Sequence, residues 1–404
     1  MLIHRAYKTE LDPTYKQVRE FLRHAGVARF AYNWGLNRKI EVCKATGESP
    51  SAYDLCKEIA KLKNLPAEQE GLPWLGEVSK HVRCEALADL DKAFQNFFRN
   101  CKKGAKKKGA KKKGYPKFKS KKHSVKKFKL RAIPWVRKKS IKLPRIGEVR
   151  LKQHGYLPTS GVKVNSATVS EHCGRWYVSL NVEQEIEVKP RLAHIVGVDV
   201  GVRYLAVTSD GEVFENPKAL VKTAKKLRTR QKAVSRKVKG SNNQRKASRK
   251  VACLHRKIAN IRKDAIHKMT TTITKSASCI VIEDLNVKGM LSNHCRARSI
   301  ADASLAEIHR QLGYKALWNG ATLLEADRWY PSSKTCSGCG NVKKELLGSE
   351  YKCEACGLVI DRDANAALNL KSLAVGYTAS ACCPGSSGLG LTASVKLLVG
   401  QEPK

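Results

Sequence analysis

The chain has 404 residues, 42% of them hydrophobic, which is enough for two or three domains that each bury a core. Lys and Arg number 78 against 35 Asp and Glu, a formal charge of +43. A compact fold repels itself at that charge unless a polyanion neutralises it, so nucleic acid is the expected partner, ahead of anionic lipid or a merely solubilising surface. No stretch reaches the roughly 18 apolar residues of a spanning helix. The start, Met1 to Arg5, lacks the apolar core of a secretory signal. The expectation is a cytoplasmic protein with no membrane partner, nucleoid-associated when bound to DNA. Of 14 cysteines, four have metal-ligand spacing. The other ten, Cys84 and Cys279 among them, read as reduced thiols, because so long a chain without an export signal is not a disulfide scaffold.

Residues 2–8 predict a short strand. Asp12-Pro13 reads as an N-cap with proline at the first helical position, and Val18, Phe21 and Leu22 follow at helical spacing. Ala31, Trp34 and Leu36 continue the apolar surface after Gly26. Ser51-Ala-Tyr-Asp54 resembles a capping box opening a second helix. A third, over about 79–101, carries the stripe Val82, Leu87, Leu90, Phe94, Phe97 and Phe98. From Asp91 to Glu148 no acidic residue intervenes, and GAKKK occurs twice in 104–113. That repeat predicts disorder without a partner. Beyond it Tyr115, Phe118, Phe128 and Trp135 interleave the cations, a pattern suited to phosphates and bases together.

Over 126–190 the pattern alternates with period two. Ile141–Leu143, Val149–Leu151 and Trp176–Val182 read as strands, with Cys173-Gly174 as a hairpin turn. His194–Val207 is an apolar, β-rich run around Asp199, turned at Ser209-Asp210-Gly211. Residues 219–275 predict two basic helices broken at Gly240–Asn243, with no acid from Lys222 to Lys263. Cys279–Leu285 is a second buried strand ending in carboxylates. A helix over 302–319, a strand over 322–330 and a helix from Asp363 follow. The tail beyond Ala374, rich in Gly, Ser and Ala, reads as disordered.

Cys336-Ser-Gly-Cys339-Gly340 and Cys353-Glu-Ala-Cys356-Gly357 are paired knuckles with 13 residues between them. Two C-x-x-C turns present four thiolates to one tetrahedral Zn²⁺, and the glycines suit the positive φ of a tight knuckle. Two unrelated redox pairs would not share that duplication. A closed four-cysteine site is structural.

Three carboxylates fall at the ends of expected elements: Asp199, Glu283 and Asp363. Asp199 interrupts an apolar strand, a costly position unless something binds it. Carboxylate oxygens suit Mg²⁺, and two such ions about 4 Å apart can activate water and stabilise a leaving oxygen in phosphodiester hydrolysis. Singly each acid has a plainer role: Asp361 or Asp363 as a helix cap, Asp284 as a lysine partner. Asp361 rivals Asp363, which is preferred for its D-x-N pattern with Asn365.

Together these pieces resemble the TnpB family, transposon-encoded relatives of type V CRISPR effectors. The matching residues are Val198–Val202, Val281–Leu285, Tyr330–Gly340 and Asp361–Leu370, with Tyr7-Lys8, Pro13, Tyr32-Asn33 and Tyr115–Lys119 toward the N-terminus. The resemblance spans about 1–372. It implies an α/β multidomain fold: a split RuvC nuclease of RNase H type at 191–334 plus 358–374, with an inserted zinc ribbon at 335–357. A wedge β-barrel is implied at 1–10 plus 126–190, a helical recognition domain at 11–125, and a tail at 375–404. It also implies Asp199, Glu283 and Asp363 as the Mg²⁺-holding catalytic triad, a guide RNA from the protein's own element, and double-stranded DNA cut beside a short motif. Candidate phosphate contacts are Lys117, Lys119, Lys121 and Lys122, and in the basic helices Arg228, Arg230, Arg236, Lys237, Arg249 and Lys250. The GAKKK repeat departs from the family pattern. Alternatives are a miniature CRISPR effector with an array-derived guide, a non-cleaving regulator, and a transposase that joins DNA ends.

Overall fold

The computed structural model describes residues 1–69, 71–104, 114–122, 124–131, 134–187, 193–345, 348–382 and 396–397. All of the GAKKK repeat but its first residue, and most of the tail, lie outside them. The chain divides into two compact units, Met1–Ile186 and Glu187–Lys404.

In the first unit β1 (Leu2–Asp12) leads into three helices, α1 (Tyr15–Thr46), α2 (Ala52–Asn64) and α3 (Lys80–Gly104). Six further strands follow: β2 (Lys127–Leu130), β3 (Trp135–Val136), β4 (Ser140–Leu143), β5 (Gly147–Leu151), β6 (Lys163–His172) and β7 (Arg175–Glu185). They form one antiparallel sheet, ordered β2-β6-β7-β1-β5-β4-β3. The first strand thus lies at the centre, registered against β7 from Leu2–Glu185 to Leu11–Trp176. The β6–β7 turn has Cys173 and Gly174 at φ 53° and 77°, the double positive φ that a tight two-residue hairpin needs. Phe21 of α1 packs on Phe128 and Trp176, joining helices and sheet in one core.

Two expectations change here. The sheet is open among the described residues, with β2 and β3 as its edges, so the expected barrel is not closed. The N-cap of α1 is Thr14, in a capping box with Gln17, because Asp12 is still paired with Arg150 in the sheet. As the continuing apolar surface implies, α1 runs unbroken through Gly26, whose missing side chain costs a helix only about 1 kcal/mol.

The second unit is a mixed sheet covered on both faces. Its strands are β8 (Ile195–Asp199), β9 (Tyr204–Thr208), β10 (Val213–Glu215), β11 (Cys279–Glu283), β12 (Thr322–Ala326) and β15 (Lys396–Leu397), ordered β10-β9-β8-β11-β12-β15. The central strands β8, β11 and β12 run parallel. Between β10 and β11 lie α4 (Ala219–Ser235) and α5 (Asn242–Ser276). Between β11 and β12 lie α6 (Val287–Met290), α7 (Ala297–Ala303) and α8 (Leu305–Asn319). A small hairpin, β13 (Glu350–Lys352) and β14 (Val359–Asp361), precedes α9 (Arg362–Cys382).

Alternation along β11 explains the layers. Ile280 and Ile282 pack with Ile266, Met269, Ile308 and Leu312 of α5 and α8, whereas Val281 packs with Leu370 and Ala374 of α9. A strand buried on both faces reads as a continuous apolar run, as 279–283 does. The helix expected over 302–319 is broken at Ser304, which sits at φ 57°. Just before the break, the Asp302 carboxylate accepts N–H bonds from Leu220 and Val221 and pairs with Arg262, capping α4 from a distance. The strand expected to reach residue 330 ends at Ala326, and α9 continues past Ala374 to Cys382. Among the described residues no helix is long and apolar enough to cross a membrane.

Candidate active site and metal centre

Asp199 and Glu283 end adjacent parallel strands. Val198 is in register with Ile282, so the two acids occupy the next step, roughly 4.8 Å apart across the ladder. Gly197 and Val281, two residues earlier, point to the face covered by α9, and by alternation so do Asp199 and Glu283. Glycine is required at 197: a Cβ there would collide with the carbonyl oxygen of Ala367 and the backbone nitrogen of Lys371. From Gly197 to Asp199 the strand rises about 6.6 Å. From Ala367 back to Asp363 the helix travels about 6 Å along the same stripe. One tight backbone contact therefore carries Asp363 to Asp199. The electrostatics agree: burial first, then the Glu283 and Asp363 carboxylates, push Asp199 up to about 8, with Arg362 opposing them.

Asp361 has a different job. Its Oδ1 accepts the backbone N–H of Asp363 at 2.9 Å and of Ala364 at 3.3 Å, the N-cap geometry for α9. Its other oxygen faces Arg203 at 3.4 Å. The Asp363 side chain is only 13% exposed, with Arg362 at 3.2 Å.

Several residues of the quoted motif segments have roles at the site that the sequence did not assign. The hydroxyl of buried Ser332 donates to Glu283 Oε1. Asn369 Nδ2 donates to the carbonyls of Ser332 and Thr335, both at 2.7 Å. Asn365 Nδ2 donates to the Thr335 carbonyl at 2.7 Å, and its Oδ1 accepts the N–H of Ser337 at 2.9 Å. Two buried asparagines one turn apart on α9 thus fasten the segment entering the first cysteine knuckle. The D-x-N pattern marked Asn365, and the i, i+4 spacing was the signal that could have added Asn369. Asp284 turns away, its Oδ2 bound by Arg328 at 2.6 Å.

All four candidate metal sulfurs converge. Cys336 and Cys356 are 3.6 Å apart, Cys339 and Cys353 likewise, and all four lie within 4.8 Å of one another. A tetrahedron with Zn–S of about 2.3 Å has edges of about 3.8 Å, so the set can hold a metal such as zinc. Gly340 and Gly357 take φ 79° and 74°, and their N–H groups close the knuckles onto the carbonyls of Cys336 and Cys353. Tyr351 fills the core beneath, its hydroxyl donating to the Lys334 carbonyl.

The ten basic candidates divide. Lys117, Lys121 and Lys122 are exposed, as are Arg228, Arg236, Lys237, Arg249 and Lys250. Lys119 instead docks on α1. Its backbone makes two bonds with the Asn33 amide, its Nζ lies 3.2 Å from the Tyr32 ring centroid, and burial lowers it to about 8. Arg230 reaches across the helical hairpin to the Lys250 carbonyl at 2.9 Å. Both hold structure together.

The profile of a probable transposase family matches residues 177–294, that of a Cas12f1-like TNB domain matches 306–370, and that of a helix-turn-helix domain matches 1–48. The last region is here one strand and one continuous helix. A protein of Streptomyces pristinaespiralis named "Putative RNA-guided DNA endonuclease" is 37% identical over 389 residues, covering 95% of this chain and 92% of its own. A similarly named Escherichia coli (strain K12) protein, InsQ, is 36% identical over 397 residues, covering 93% of each. Among solved structures, a Cas12f1–sgRNA–target DNA complex aligns over 92% of this chain and 99% of its own at TM-score 0.52 and 14% identity, a likeness of fold.

Proposed function

The chain belongs to the TnpB family of RNA-guided DNA endonucleases, and on that premise we propose that it uses a guide RNA to find double-stranded DNA beside a short motif and hydrolyses a phosphodiester bond there. The observation that carries the reading is the packing of α9 onto Gly197, which draws Asp363 to Asp199 and Glu283. An acid raised to about 8 by burial and then by two other carboxylates is a site short of a cation. Asp199, Glu283 and Asp363 offer hard oxygen donors and would hold two Mg²⁺ ions. Bound there, the ions supply an activated water and charge for the leaving oxygen.

The chain's own residues set the geometry. Ser332 fixes the Glu283 carboxylate, Asp361 caps α9 so that Asp363 is left for metal, and Arg362 offsets charge beside it. This arrangement supports a RuvC nuclease of RNase H type in 191–334 plus 358–374, with α9 extending that part to Cys382. The cysteine set would hold one structural Zn²⁺ in a ribbon at 335–357. Residues 1–10 plus 126–190 would act as the wedge and 11–125 as the recognition helices. The exposed cations of α4 and α5 would contact the guide–target duplex by charge and shape, while base pairing reads sequence.

RNA co-purifying with the protein tests this. Sequencing should recover a scaffold joined to a variable guide, and a complex rebuilt with a new guide should cut a plasmid carrying the matching sequence. Cutting that ignores the guide, or a chain that carries no specific RNA, would refute the proposal. A guide mapping to a repeat array would move the protein to the miniature CRISPR class.

A further inference from the structure

At the same strand ends as Asp199 and Glu283, but on the face of the sheet covered by α8, lies a cavity of about 320 Å³ that the nuclease reading leaves unused. Val200 and Asp284, each one residue beyond a proposed metal ligand, line its inner end. Leu285, Leu305 and Leu312 form an apolar floor, and Lys288 and Arg328 stand at the rim. Its volume is at the small end for ligand sites, the scale of one nucleotide. Arg328 is anchored by Asp284 at 2.6 Å, which fixes a cation at the edge of the cavity.

The next residue, Trp329, is 85% exposed, the largest exposure of any large hydrophobic side chain among the described residues. Its backbone is not loose. The Trp329 N–H donates to Asp327 Oδ1 at 2.8 Å, Tyr330 N–H to the Asp327 carbonyl at 3.0 Å, and Ser332, three residues on, holds Glu283. An indole presented to solvent from a pinned turn loses little entropy when a base stacks on it. Apolar floor, cationic rim and bare indole match one ligand chemistry, a single-stranded nucleotide with its base unstacked and its phosphate outward.

We propose that this cavity and Trp329 form a nucleotide subsite that grips the DNA strand being cut. One base enters the cavity, a neighbouring base stacks on Trp329, and Lys288 and Arg328 face the intervening phosphate. The subsite rests on the nuclease reading and adds to it a way to hold the strand where it crosses the strand ends that carry the acids.

The test uses the protein–guide RNA complex on a matched DNA target, with target binding and cleavage rate measured separately. Trp329→Ala should leave target binding unchanged and slow cleavage roughly 5- to 100-fold, the range of one lost stacking contact. Trp329→Phe should recover most of that rate. Ala306→Trp, an exposed position on α8 at the cavity mouth, should slow cleavage without lowering the melting temperature. A single abasic nucleotide scanned past the cut site should slow the wild-type complex at two adjacent positions, and in Ala306→Trp only at the position that stacks on Trp329. Wild-type cleavage in both variants while Asp199→Ala is inactive would overturn the subsite and leave the nuclease reading standing. Cleavage by Asp199→Ala would overturn that reading itself. A fall in target binding equal to the fall in cleavage would also reject the subsite, since it would place Trp329 in target recognition.

Discussion

At the scale of single residues, the site stores electrostatic cost. Asp199 has an ordinary value of 3.8 and is held at about 8, so the folded state favours its neutral form. A raised folded pKa contributes stability that is complete below the unfolded value and is lost as pH rises through the folded one. The metal-free protein should therefore weaken between about pH 4 and pH 8. Asp199→Asn removes the titration, so in chelator its advantage over wild type should grow by about 1–3 kcal/mol from pH 5 to pH 8. Thermal melts at both pH values measure this, and a gap that does not change with pH would sink the idea. The neighbouring acids separate in a different way. Asparagine caps a helix about as well as aspartate, so Asp361→Asn should cut DNA within about threefold of wild type. Asp363→Asn should lose at least about a hundredfold, roughly 3 kcal/mol of barrier. The reverse order in a cleavage assay would exchange their roles.

At the scale of elements, the ribbon and α9 are one assembly. Asn365 and Asn369 spend their amides on the segment entering the first knuckle, and Ser332 of that segment holds Glu283. Metal lost from the cysteines should therefore loosen the acids as well. Cys339→Ser should lower bound zinc and the melting temperature together, and zinc content equal to wild type by metal analysis would contradict it. Much of this was legible in sequence, because knuckle spacing, apolar strands ending in acids and the capping box at Ser51 are local patterns. What escaped depended on tertiary contacts. Pairing with Arg150 keeps Asp12 in a strand and passes the cap to Thr14. The left-handed Ser304 splits a helix that periodicity alone would continue. No local pattern marks Gly197 as the seat of α9, or tells an open sheet from a closed barrel.

At the scale of the molecule, charge is the dominant property. The +43 balance has no acid from Lys222 to Lys263, and α5 alone is 35 residues, about 52 Å long. Composition therefore announced a polyanion partner, but could not tell exposed cations from those that hold the fold, such as Lys119 on Tyr32 and Arg230 on the Lys250 carbonyl. Replacing Arg228, Lys237, Arg249 and Lys250 by alanine should weaken nucleic-acid binding and flatten its log–log salt dependence by roughly one unit per lost phosphate contact. Titrations between low and physiological salt would show this, and an unchanged slope would remove these helices from the interface.

If Asp199, Glu283 and Asp363 form one metal centre for cutting DNA at a guided site, a Mg²⁺ titration of the protein–guide RNA complex on a matched plasmid, wild type beside Asp199→Ala, reads it out. Wild type should linearise the plasmid only with Mg²⁺, and Asp199→Ala should bind the same target without cutting. An intact plasmid with every matched guide, or cleavage by Asp199→Ala at the wild-type rate, would contradict it.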